Sequence, residues 1–161
     1  MQLLEYRKSQ ALPWSVLLAL LFFCSGCQTT KESLFTVSGP GWHVREGQAL
    51  WKPGHKYPEL GGDLVLANND DGRCLIEFEK TPITMVSAQI TPESWLIRFP
   101  QRQMGFSGHG KPSTRFLWLY LPAALSGKKL PKNLGFERKP DGGWRLENSR
   151  SGETLEGFLG P

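Results

Sequence analysis

Cys27 is the residue whose type and setting most directly specify chemistry. It follows the small pair Ser25-Gly26, Cys24, and an apolar run from Ser15 to Phe23 (SVLLALLFF) that lies beyond Arg7 and Lys8. Positive charge, a short apolar run and small residues, in that order, make an export signal. The run is about half the ~20 residues needed to span a bilayer, so a permanent transmembrane helix is the poorer reading. A thiol with small neighbours is a nucleophile that a processing enzyme can reach. By residue type alone, Cys27 is a reactive thiol beside the end of an export signal; an ordinary signal cut nearby would leave it free.

The other chemical candidates are weaker. Gly105-Phe106-Ser107-Gly108-His109-Gly110-Lys111 fits G-x-x-x-x-G-K, but Pro112 stands where Ser or Thr would hold Mg²⁺, and its missing N–H removes a phosphate donor. In the same stretch His109 replaces the final Gly of a nucleophile elbow. His43, His55 and His109 have no zinc-site spacing. Asn68 to Gly72 lacks the alternating ligands and closing Glu of a calcium loop. Glu77 and Glu79 share one strand face and read as solvated rather than as paired catalytic acids. No catalytic residue, metal, nucleotide or other cofactor is expected.

Cysteine count limits stability. With Cys24 removed and Cys27 modified, Cys74 alone remains, which forbids an intramolecular disulfide even in an oxidising compartment; its place beside Ile76 and Phe78 reads as a buried, inert thiol. The chain carries 19 Lys and Arg against 15 Asp and Glu; losing Glu5, Arg7 and Lys8 with the signal leaves 17 against 14, a net +3. These charges are interspersed, so nucleic acid is not an expected partner. Lys128-Lys129 and Lys132 form one small basic patch, read as a solvated loop or a contact with anionic lipid. Trp42, Trp51, Trp95, Trp118 and Trp144 are read mainly as packing residues, with carbohydrate stacking or membrane-interface anchoring as alternatives.

Positioning these groups is a chain divided into residues 1–26 (signal), 27–41 (modified N-terminus and tether) and 42–161 (one β-rich domain). Period-two alternation with turn punctuation predicts antiparallel strands at 42–51, 63–67, 73–79, 83–90 and 95–99, the last four forming a meander. Residues 101–113 read as a polar, Gly-rich loop. Residues 115–121 (RFLWLYL) are continuously apolar after their Arg, a pattern that does not decide between buried strand and helix; Pro122 and Gly127 favour a short helix around 113–127. Strands return at 136–139, 144–148 and 153–159. The fold class is mainly β with a short helical element: a curved antiparallel sheet or incomplete β-barrel whose concave apolar face the helix covers.

Cys24-Ser25-Gly26-Cys27 resembles the lipobox of bacterial lipoproteins, with Cys24 where that family usually has Leu. The resemblance implies diacylglyceryl transfer to the Cys27 thiol and acylation of the new N-terminus, which anchors the chain stably where a single acyl chain is marginal. Gln28 stands where Asp would favour inner-membrane retention, so the expected address is the periplasmic face of the outer membrane.

The domain resembles the LolA/LolB superfamily of lipoprotein carriers, and within it the lipid-anchored LolB-like receptors. The similarity lies in the strand ending at Trp51, Gly61-Gly62-Asp63-Leu64-Val65-Leu66, Gly72-Arg73-Cys74-Leu75-Ile76-Glu77-Phe78, Thr81-Pro82-Ile83, and Gly110-Lys111-Pro112 with Trp118-Leu119. It implies an incomplete barrel with a helical lid over an apolar cavity for acyl chains, with Leu64, Leu66, Ile76, Phe78, Met85, Ile97 and Phe99 as candidate lining. The expected function is non-enzymatic carriage or reception of lipoprotein or lipid acyl chains, with the membrane as partner through Cys27. The alternative is an envelope lipoprotein with a filled core that acts as a protein- or peptidoglycan-binding scaffold.

Overall fold

Alternation of apolar and polar residues organises most of the domain, because a strand presents successive side chains to opposite faces. The computed structural model describes residues 33–161; the export-signal region and Cys27 lie outside the described residues. Nine strands form one antiparallel sheet: β1 (Trp42–Lys52), β2 (Leu60–Asn69), β3 (Cys74–Lys80), β4 (Ile83–Ile90), β5 (Ser94–Phe99), β6 (Met104–His109), β7 (Leu134–Arg138), β8 (Trp144–Asn148) and β9 (Glu153–Leu159). Their order across the sheet is β6-β5-β4-β3-β2-β1-β9-β8-β7, and the sheet is not closed. Between β6 and β7 runs a 3-10 turn, Leu117–Tyr120, that continues into α1 (Leu121–Leu125).

The sheet must curl to make its contacts. From β4 to β8 is five strand steps, about 24 Å in a flat sheet at ~4.8 Å per step. The 3-10 turn is about 8 Å long, yet it packs against β4 on one side and against β8 and β9 on the other. Only a sheet wrapped around the turn brings those strands within its reach. Inward-facing side chains of β1 to β5, β8 and β9 accordingly join Phe116–Leu121 in one core cluster.

The structure corrects the sequence reading in three places. The expected four-stranded meander is six-stranded, because β1 pairs with β2 and a strand follows β5. That strand is β6, within the stretch read as a loop. Its glycines conceal it: Gly108 lies opposite Trp95, and a Cβ there would stand 2.6 Å from the indole ring. A residue whose side chain is excluded by a neighbour's ring cannot show alternation. The expected helix of 113–127 contracts to the 3-10 turn and the five residues of α1.

At the level of packing this yields a direct expectation. Replacing Gly108 with Ala forces its methyl into the Trp95 ring and costs about 1–3 kcal/mol, the range for overpacking a filled core. Chemical denaturation of Gly108→Ala measures the loss; an unchanged midpoint contradicts this account of β6.

Candidate functional site

The concave face is assembled by strand parity. Leu64 and Leu66 of β2, Ile76 and Phe78 of β3, and Ile97 of β5 point inward and are fully buried. Phe99, at the end of β5, packs on the same core. Met85 reaches it by another route: the β3–β4 register shifts after Phe78, pairing Phe78 with Val86 but Glu79 with Thr84. Met85 is the extra residue of that bulge, and half-buried, it touches the core. Past the bulge it is Val86 and Ala88, not chosen from the sequence, that face inward. All seven sequence-selected side chains thus belong to one apolar surface.

That surface is covered by the chain's own residues. Phe116 to Leu121 are all buried, with Leu117, Trp118 and Leu121 at zero exposure. Trp118 is central: its ring lies 5.1 Å from Phe78 and 5.7 Å from Trp51, and Trp51 stacks on Phe99 at 6.1 Å. The segment acts as a plug between the walls. Polar ties hold it at intervals, two of them from the sheet. Asn148 of β8 donates to the Thr114 carbonyl at 2.8 Å, the Tyr120 hydroxyl donates to Pro112 at 2.5 Å, and Arg138 of β7 donates to Leu125 at 2.5 Å. The indole N–H of Trp118 is buried without an acceptor among the described residues.

One ionisable group enters this interior. Glu153 opens β9 with the inward parity of Leu155 and is 8% exposed. Its carboxylate accepts the Trp51 indole N–H at 2.9 Å. Burial pushes it up to about 7, against the Trp51 and Leu117 N–H groups, which favour the charged form. Glu153 therefore ties β9 to Trp51, the ring against which Trp118 of the plug packs. It escaped the sequence reading, although the period-two pattern Glu153-Thr154-Leu155 carries the signal.

The remaining candidates disperse. Gly105 to His109 lies in β6, extended and hydrogen-bonded to β5, so its amides do not converge on a phosphate. His43 contacts Asp70 at 2.9 Å, His55 lies against Gly152, and His109 pairs with Ser94. Glu77 is half-buried on the outer parity of β3, raised first by burial and then by Glu79, with Arg98 opposing. Cys74 is buried, and burial pushes its thiol up to about 12. An open groove of about 640 Å³ lies on the opposite side of the sheet, lined by Gln48, Leu50, Gly61, Asp63, Glu156 and Phe158. These side chains have parity opposite to that of Trp51, Leu64 and Leu155, none of which lines the groove, so it is not the concave space anticipated for acyl chains. No protein-family model and no curated protein matches the chain.

Glu153 sets a pH dependence whose sign is fixed by linkage. Its carboxyl titrates near 7 in the fold and at an ordinary 4.5 when exposed. The folded state holds the proton more tightly, so stability is fully present below 4.5 and is lost as pH rises to about 7, by on the order of 3 kcal/mol. Glu153→Gln keeps an acceptor for Trp51 and removes the titration. The difference in unfolding free energy between wild type and Glu153→Gln should change across this window and level off above it. Parallel profiles contradict the assignment.

Proposed function

We propose that this chain is a lipid-anchored envelope protein, attached through acylated Cys27 at the periplasmic face of the outer membrane, that receives or carries acyl chains of lipoproteins or lipids in the manner of LolB-like proteins. No chemical step is involved. Cargo would take the place of the plug against Leu64, Leu66, Ile76, Phe78 and Ile97, with Met85 and Phe99 at the margins. The observation that carries this reading is the plug itself: a short segment of six buried side chains lying between the walls of a sheet that is not closed.

The magnitudes make such an exchange feasible. Burying six large side chains is worth about 9–18 kcal/mol, and burying an acyl chain of about fifteen methylenes is worth about 12 kcal/mol. The two are of the same size, so an acyl chain can compete with the plug without a cofactor or an energy source. The uncompensated Trp118 N–H adds a cost to the closed arrangement, and an ester carbonyl of cargo would offer it an acceptor.

The second reading, a scaffold lipoprotein with a permanently filled core, is favoured by a different fact. Five of the seven candidate lining residues already have zero exposure. The two readings separate experimentally. The chain from Gln28 to Pro161, without the signal and Cys27, purified without detergent, is predicted to retain acyl lipid detectable by mass spectrometry and to bind a fluorescent fatty acid saturably. Trp118→Ala, which removes the centre of the plug, should bind the probe at least about tenfold more tightly, a gain of about 1.4 kcal/mol. Absence of both retained lipid and saturable binding would sink carriage and leave the scaffold.

A further inference from the structure

The described chain begins pinned to the outside of the sheet. The Ser33 hydroxyl and the Leu34 backbone N–H bond to the side-chain oxygen of Gln89 at 3.1 and 2.6 Å, and the Gln89 amide donates to the Phe35 carbonyl at 3.1 Å. Gln89 belongs to β4 and is itself buried. Cys27 lies six residues before Ser33, so a fully extended connection reaches at most about 20 Å. The point where the chain leaves the sheet is therefore close to any bilayer in which Cys27 is held.

Beside that point lies a cluster with the chemistry of a membrane interface. Phe35 and Trp42 pack with ring centroids 5.6 Å apart, and the Arg73 guanidinium lies 5.5 and 5.3 Å from the two rings. Val37 and Val44 add exposed apolar surface at 37% and 49%. Val44 shares the outer parity of Trp42 on β1. Among the described residues Trp42 is the one tryptophan that is not buried: Trp51, Trp95, Trp118 and Trp144 are at most 9% exposed. Two carboxylates stand nearby, Asp70 and Asp71, and each has a partner, His43 at 2.9 Å and Arg73 at 2.7 Å. Aromatic rings with a polar edge and an Arg with an apolar stem settle where hydrocarbon meets headgroups.

We infer that Phe35, Val37, Trp42, Val44 and Arg73 form a membrane-docking face, seated on the surface of the bilayer that holds the anchor. The inference deepens the proposed function and rests on its attachment at Cys27. Docking would fix which side of the domain faces the lipid, instead of leaving it to rotate on a tether. The outer surface near the start of β1 and β3 would lie on the headgroups.

The test separates docking from biological acylation. Residues 31–161 form one compact unit, so the chain from Cys27 to Pro161 can be coupled through Cys27 to a maleimide lipid. Cys74 is buried and its thiol is raised to about 12, which leaves Cys27 as the reactive thiol. Tryptophan emission is read on vesicles of phosphatidylethanolamine and phosphatidylglycerol, with and without dibrominated acyl chains. Bromine-dependent quenching is expected in the wild type, its loss in Trp42→Phe, and at least a twofold reduction in Val44→Asp. No quenching in the wild type, or equal quenching in Trp42→Phe, overturns the docking face. The mass of Cys27 in protein recovered from cells tests the attachment itself and can fail independently.

Discussion

The closed interior depends on the burial of Trp118 between Trp51 and Phe78. An antiparallel sheet that buries one face needs something to pack against that face. Here the sheet curls but does not close, so it cannot complete its own interior. Trp118 supplies the missing volume, with Phe116 packed against Trp95 and Phe106, and Leu117 and Leu121 also buried. Three features follow from that one placement: the strands of both sheet halves turn toward the plug, Phe99 stacks on Trp51, and Glu153 finds the head of the plug within reach of its carboxylate.

The same arrangement explains why the interior is stable yet holds a polar group. Glu153 is costly to bury as an anion, but it satisfies the Trp51 Nε1 donor, which would otherwise be stranded at about 1–3 kcal/mol. Asn148 plays a related part on β8, donating to Thr114 while its side-chain oxygen accepts from Asn133 and from the Arg150 amide. Asn148 thereby holds the start of the non-repetitive segment, whose backbone cannot complete its hydrogen bonding within a four-residue 3-10 turn and five-residue α1. Surface ion pairs such as Lys139–Glu156 are half-exposed and contribute little by comparison.

Much of this was legible in the sequence wherever side chains alternate. Leu64-Val65-Leu66 and Cys74-Leu75-Ile76-Glu77-Phe78 announce their buried face directly, and the turn expected over Asn68–Gly72 narrows to 70–72 because β2 runs on to Asn69. The alternation fails at three kinds of position. Gly108 has no side chain because Trp95 occupies the space, so β6 reads as loop. Met85 sits in a bulge, which moves the inward parity of β4 to Val86 and Ala88. Residues 116–121 are apolar on every side because plug and walls enclose them, so they carry no period at all. Glu153 was overlooked because a charged residue at the start of a strand reads as solvated; only the parity of Leu155 reveals its direction.

An uncovered concave face would be unstable in water, and a permanently covered one would have no use for cargo. Carriage as proposed requires the plug to be an exchangeable occupant. Hydrogen exchange of the backbone amides of Leu117 to Leu125, followed with and without saturating acylated peptide, tests it most directly. The account predicts that acylated peptide raises exchange in this segment while the amides of β2 and β3 stay protected, and that the unacylated peptide leaves the segment unchanged. Equal protection of Leu117 to Leu125 with saturating acylated peptide bound and without it would contradict the exchange.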